Sequence, residues 1–244
     1  MSFKPFVHLH NHTDCSFLDG AIKVNALVAQ ARAYNMPAVA ITDHGALFGL
    51  VEFYREATKA GVKPILGFEA YMAPDSRLNR QYGQHDRRYD HLILLARNDE
   101  GYRNLLILAT IAYTEGFYSR PRIDKEVLRL HGKGLIGLSA CIQGEIPRAL
   151  IQGNEAKAKA ALKDYLEIFG EGHFFLELMD HGIDEELIAN EKLIKLAREE
   201  NIPLVATNDS HYLHREDAEA HDALVCIQTG KSVKDPNRMR FGTD

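Results

Sequence analysis

The chain has 244 residues, 45% of them hydrophobic and 26% charged, with a formal net charge of -5 and a pI near 6.2. At roughly 150 residues per domain this is one large domain or two small ones, and it excludes a disordered chain, a coiled coil and a broadly basic nucleic-acid binder. Three cysteines imply no disulfide framework, residues 1–20 carry no apolar signal segment, and no apolar run approaches a membrane span, so a reducing cytoplasm is the expected compartment.

Taken in chain order, runs rich in Val, Ile and Leu predict strands at 6–11, 38–43, 64–72, 90–96, 135–140, 174–180 and 203–209. Most are continuously apolar, the pattern of strands buried on both faces in a parallel sheet. Helical periods fall between them. Residues 22–35 place Val24, Leu27, Val28 and Ala31 on one face, and 49–60, 100–115 and 154–169 read similarly. The last helix, 185–200, takes its apolar stripe from Leu187, Ile188, Leu193, Ile194 and Leu196, with Asp184, Glu185 and Glu186 at its dipole-favoured start. The alternation fits a doubly wound sheet or a (β/α) barrel, and the length is near the ~250 residues typical of a barrel. Residues 1–230 read as one domain. The polar stretch 231–244 reads as the start of a linker to further domains.

Ligand-type side chains gather at the strand ends. The first strand carries His8 and His10, which share one side of an extended chain, then His12, with Asp19 beyond. The second ends in Asp43 and His44, the third carries Glu69, and the fourth begins with Asp90 and His91. The fifth ends in Cys141 and the seventh in Asp209 and His211. Imidazole, carboxylate and thiolate together suit Zn, Mn or Fe, and strand ends of a barrel converge on one mouth. Cys15 and Cys226 read as inert thiols. His85, His131, His173, His214 and His221 read as surface residues. Tyr71, Tyr82 and Tyr89 could stack a base or pack the rim. Arg120 and Arg122 could grip phosphate or lie in a solvated loop. Lys157, Lys159 and Lys163 read as a solvated helix face, and Asp43 orients a ligand or caps a helix.

The sequence resembles the PHP (polymerase and histidinol phosphatase) domain family, in the branch found at the N-terminus of bacterial DNA polymerase III alpha subunits. The residues that carry the resemblance are His-Leu-His at 8–10 with Ser-Phe-Leu-Asp-Gly at 16–20, Ile-Thr-Asp-His-Gly at 41–45, Gly-Phe-Glu at 67–69, Asp-His-Leu at 90–92, Leu-Ser-Ala-Cys at 138–141 and Thr-Asn-Asp-Ser-His-Tyr at 207–212. The resemblance implies a distorted seven-stranded TIM-like barrel with three divalent ions at the C-terminal face of its strands. It implies nine ligands: His8, His10, Asp19, His44, Glu69, His91, Cys141, Asp209 and His211. Of these, Asp19, His44, Glu69 and His211 would carry catalysis. His12 and His181, beside strand ends, are candidates for substrate contact.

The implied activity is metal-dependent phosphoester hydrolysis, as a 3′–5′ proofreading exonuclease acting on a single-stranded 3′ end or primer terminus. The implied partners are DNA, the remaining polymerase domains and replisome subunits, with no membrane. Two alternatives stand beside it: a phosphomonoesterase of the histidinol-phosphatase type, and a structural metal-binding domain without catalysis. Three divalent ions would add +6 locally to a chain of charge -5, so an acidic chain could still draw an anionic substrate.

Overall fold

The computed structural model describes residues 6–82 and 89–240. Seven strands form one curled, mixed sheet: β1 (Ala38–Ile41), β2 (Lys63–Met72), β3 (Asp90–Ala96), β4 (Arg122–Ile123), β5 (Leu135–Leu138), β6 (Phe174–Leu178) and β7 (Leu204–Ala206). Their order is β1-β2-β3-β5-β6-β7, with the short β4 on β2. The eight α-helices of the described residues are α1 (Val24–Ala33), α2 (Leu50–Ala60), α3 (Asp99–Thr114), α4 (Lys125–His131), α5 (Glu145–Ile151), α6 (Glu155–Phe169), α7 (Asp184–Glu200) and α8 (Ala218–Thr229).

The expected all-parallel arrangement fails at one strand. β3 runs antiparallel to both β2 and β5, with Met72 opposite Asp90 and Ile93 opposite Leu138. A parallel return needs a crossover, usually a helix, and residues 73–89 carry no helical period. The chain therefore comes back at the end of the sheet where β2 finished. This reversal brings the start of β3, with His91, to the end where the other strands finish.

The predicted strand 6–11 is not a paired strand but an extended segment. Its backbone bonds run both ways: Ala40 N donates to His8 O (2.9 Å) and Thr42 N to Asn11 O (2.9 Å) on one side. On the other, Ser210 N donates to His10 O (3.2 Å) and His12 N to Ser210 O (2.8 Å). β4 takes its place in the strand count.

Period-two alternation divides each strand between two environments. Phe68, Ala70 and Met72 of β2, Leu92 and Leu94 of β3 and Leu176 of β6 pack with the helices in the main core. The other face encloses Ile93, Leu95, Leu138 and Ala140, with Leu9, Ile65, Ile136, Phe175 and Val205 packed against them. Further along the same inner positions stand Glu69, His91 and Glu177. The interior is thus apolar at one end and ionisable at the other. β7 departs from the expected double burial, since Leu204 and Ala206 are exposed.

The face of α1 is as expected, with Val24, Leu27, Val28 and Ala31 buried. The phase of α7 is not. Its buried residues are Glu186, Ala189, Leu193, Leu196 and Ala197, while Leu187 and Ile188 face outward. Glu186 sets this rotation by accepting His181 N (2.7 Å) and pairing with His181 Nδ1 (2.7 Å). Helices α4, α5 and α8 lie where the sequence shows no long apolar period. The first two have only seven residues, and α5 starts with Pro147 in its first turn. The tail beyond α8 folds back, with Arg238 donating to Asp222 (2.8 and 2.9 Å); Phe241–Asp244 lie outside the described residues.

Candidate metal centre

The ionisable end of the interior holds three overlapping groups whose ligand atoms lie within 4.8 Å of one another: His12, Asp19, His44 and His211; His10, His12 and Glu69; and His44, Glu69 and His91. Glu69 is central. Its Oε2 lies 3.0 Å from His44 Nδ1, 3.2 Å from His12 Nε2 and 3.5 Å from His10 Nε2, and its Oε1 lies 2.9 Å from His91 Nδ1. Asp209 Oδ1 is 3.1 Å from both His10 Nε2 and His12 Nε2. Asp19 Oδ2 is 3.1 Å from His211 Nε2 and 3.4 Å from His44 Nε2. A cavity of about 380 Å³ opens onto this cluster, with Ile183, Tyr212 and Met239 on its outer wall.

Local backbone geometry aims these groups. Asp209 sits at φ +45° and Leu18, beside Asp19, at φ +62°. Such left-handed conformations cost a non-glycine residue about 1–3 kcal/mol and recur at functional sites. A backbone bridge pairs His44 with Glu69 across β1 and β2. Gly45 follows at φ +59°, where a Cβ would meet Pro121 and the Tyr71 ring.

A second layer fixes the imidazoles. His10 Nδ1 donates to Glu177 Oε1 (2.9 Å), leaving Nε2 toward the cluster. Glu177 is itself held by Thr207 Oγ1 and by its own N–H on Ser139 Oγ. His211 Nδ1 donates to the Asp209 carbonyl (2.8 Å), so its Nε2 faces Asp19. Ser16 Oγ donates to Asp19 Oδ2 (3.2 Å) and accepts from His44 N (3.2 Å). His221 Nε2 donates to Asp19 O (2.7 Å). Such outer partners set the tautomer and basicity of metal-ligating groups.

The donor set fits divalent cations. Both carboxylate oxygens of Glu69, Asp209 Oδ1 and His44 Nδ1 are buried without a hydrogen-bond partner. Buried polar atoms are ordinarily satisfied. His10 Nε2 and His12 Nε2 face each other at 3.1 Å. Burial disfavours the charged form of every group here, yet Asp209 and Glu69 lift His12 to about 10. Burial likewise opposes ionisation of Glu69, but His44 and His91 hold it well below the usual carboxylate range. Burial, then Glu69 and Asp209, push the Cys141 thiol up. These carboxylates demand positive charge, which protons or metal ions can provide.

Eight of the nine expected ligands stand in or beside the cluster. Cys141 is at its edge, with Sγ 3.8 Å from His91 Nδ1. His8 is apart from all three groups, edge-on to Phe6 at 4.8 Å. His12, expected only as a substrate contact, occupies two of the groups. The reason is spacing: at about 3.3 Å per residue, His8 lies two residues farther from the strand-end mouth than His10.

The remaining candidates divide. Asp43 accepts Thr13 N (2.6 Å) and Thr13 Oγ1 (2.8 Å), tying the extended segment to β1 rather than orienting an imidazole. His181 lines the cavity, but both its nitrogens are engaged, by Glu186 and by Asn208 O. Arg122 is fully buried, donating to the carbonyls of Gly116, Arg77 and Asn79, so it grips backbone and not phosphate. Arg120 is half-buried over the Tyr71 ring. Tyr71 is buried against His44, and Tyr82 bonds Asp75 away from the cluster. His221 is buried, not on the surface as expected. His131 and His173 are half-buried, His214 is exposed, and His85 lies outside the described residues. Cys226 is buried as expected, while Cys15 is only half-buried. Glu177 was not anticipated; its one signal is a lone carboxylate inside the apolar run 174–178.

A curled, mixed α/β sheet with histidine and carboxylate clusters gathered at one end defines the fold. It is similar to a solved structure described as a metal-dependent phosphoesterase from Bifidobacterium adolescentis, with a TM-score of 0.54 and 16% identity over 86% of this chain and 90% of that one. An amidohydrolase from Chromobacterium violaceum compares at a TM-score of 0.52 and 16% identity, covering 84% and 87%. The chain belongs to the PHP domain family, which it matches over residues 8–181. Its curated relatives include the DNA polymerase III subunit alpha of Borreliella burgdorferi, 49% identical over all of this chain, and that of Thermus aquaticus, 49% identical over 98% of it. The chain spans about a fifth of the length of these relatives, 21% and 20%.

Proposed function

We propose that the chain is a metal-dependent phosphoesterase acting on DNA 3′ ends, a 3′–5′ exonuclease module working beside further polymerase domains and replisome subunits in the cytoplasm. The observation that carries this reading is the overlap of three ligand groups, two of which share Glu69, with buried oxygens lacking partners. Three divalent ions, Zn, Mn or Fe, would account for it, shared among His10, His12, Asp19, His44, Glu69, His91, Cys141, Asp209 and His211. Bound there, such ions supply neutralisation of phosphate charge and a water acidic enough to attack phosphorus at neutral pH.

The protein's own groups do the rest. Glu69 joins two of the ligand groups. Glu177 and the Asp209 carbonyl keep His10 and His211 in the tautomers that present Nε2 inward. The curled sheet reads as a distorted barrel closed through residues 8–12, supported by their backbone bonds to both 40–42 and 210. That closure keeps the site at one mouth. Residues 1–230 read as one domain and 231–244 as the beginning of a linker.

The test is hydrolysis of a 3′-labelled single strand and a mismatched primer with Mn or Zn. Degradation lost on Asp19→Asn supports the reading. Activity confined to small phosphomonoesters would favour the phosphatase alternative. Bound metal without any hydrolysis would favour the structural one.

A further inference from the structure

Arg120 lies over Tyr71, the ring that stacks on His44 of the metal centre. It belongs to a tight turn: Tyr118 N donates to Arg120 O (3.0 Å), Ser119 sits at φ +59°, and Pro121 leans on Gly45, the residue after His44. The turn is thus braced on the strand end that carries a ligand. The guanidinium lies 5.8 Å from the Tyr71 ring centre. Tyr71 in turn stacks on His44, with centroids 5.4 Å apart and planes 11° apart. Tyr89 completes the layer, 4.8 Å from Tyr71 and parallel to His91 within 10°. The Tyr89 phenol lies within interacting distance of the Arg120 guanidinium.

Arg120 makes no ion pair among the described residues. That contrasts with Arg77 and Arg238, which bind carboxylates directly. A half-buried cation ordinarily finds an acid or is driven out to water. Here it is held by an aromatic face and a phenol, and a guanidinium has five N–H donors to satisfy. Its place is one aromatic layer away from the ligand cluster. A cation so placed is available to an anion that lies beside the cluster rather than in it.

Building on the proposed phosphoesterase reading, we infer that Arg120 binds the backbone phosphate next to the scissile one in a single-stranded nucleic acid. It thereby serves as a positioning residue that distinguishes a phosphodiester chain from a small monoester. The Tyr71–Tyr89 layer holds the guanidinium at that height, and the monoester has no second phosphate to reach it.

The test measures binding of a short fluorescent single-stranded DNA with hydrolysis-resistant phosphorothioate linkages to the Mn-loaded chain, as a function of salt. One lost phosphate contact lowers the slope of log K against log salt by about 0.7 for a single strand. Arg120→Gln is expected to weaken binding about tenfold and to lower the slope by that amount. Arg120→Lys, which keeps the charge, restores the slope. Arg103→Gln, which removes a charge from the exposed face of α3, leaves both unchanged. Equal affinity and slope for wild type and Arg120→Gln would overturn this inference and leave the phosphoesterase reading standing. Failure of the wild type to bind DNA would overturn both. A slope lowered equally by Arg103→Gln would show only a general charge effect and overturn the assignment to Arg120.

Discussion

His8, His10 and His12 share one side of an extended segment, and identity alone does not say which two serve the centre. Position along the strand decides it. The ligand groups form around Glu69, His44 and His91, with Asp209 alongside, and that level is reached by His10 and His12. We expect His12→Ala to cost at least tenfold in metal affinity, and His8→Ala to leave affinity within twofold of wild type. Titration calorimetry with Zn or Mn decides between them, and the reverse ranking would restore His8 as a ligand. One layer out, Glu177→Gln keeps a hydrogen-bond acceptor but removes the charge behind His10. Loss of such an outer partner typically costs 10–100-fold in metal affinity or activity. The same titration, with circular dichroism to confirm the fold, measures it.

Elements show where the sequence was legible and where it was not. Strands and helices with strong periods stand close to their expected places, α1 and α6 among them. The polarity of β3 was not read, although the absence of a helical period in 73–89 was its signal. Without that reversal the start of β3 would carry His91 to the apolar end. Arg122 was unreadable for another reason. In Ser-Arg-Pro-Arg the two arginines look alike, and only tertiary packing buries one of them among three carbonyls. Removing it strands those acceptors, at about 1–3 kcal/mol each before relaxation. Arg122→Met should therefore destabilise the fold by about 3–5 kcal/mol, read from the urea midpoint, whereas Arg120→Gln should shift it by under 1 kcal/mol.

The joint between β6 and α7 carries a pH signature. The Glu186 carboxylate, with the Asn208 carbonyl, raises His181 to about 9 against the burial that opposes it. A group raised on folding stabilises fully below its unfolded value near 6.5, and that contribution fades as pH climbs through about 9. His181 is partly exposed, so solvent screening leaves roughly 1–2 kcal/mol. Wild type should exceed His181→Gln in unfolding free energy by that margin at about pH 6. The margin should vanish near pH 10. A margin independent of pH would mean that packing, not charge, makes the joint.

At the scale of the whole molecule, the interior is a sheet with two unlike ends. One end is lined by the apolar side chains of Ile65, Leu95, Ile136 and Phe175 and holds itself together by burial. The other gathers the carboxylates of Asp19, Glu69 and Asp209 among imidazoles, so that its stability depends on charge supplied from outside. Metal ions that bind this native cluster and not the unfolded chain must stabilise the fold, by about 2.7 kcal/mol at a hundredfold excess over the dissociation constant. For a chain of this size each kcal/mol moves Tm by about 2–4 °C. Adding Mn or Zn to chelator-treated protein should therefore raise Tm by roughly 5–10 °C, and a chelator should reverse it. Asp19→Asn and His12→Ala should blunt the shift, and His8→Ala should keep it. A Tm indifferent to metal would mean that protons alone hold the carboxylates, and the centre would lose its claim to cations.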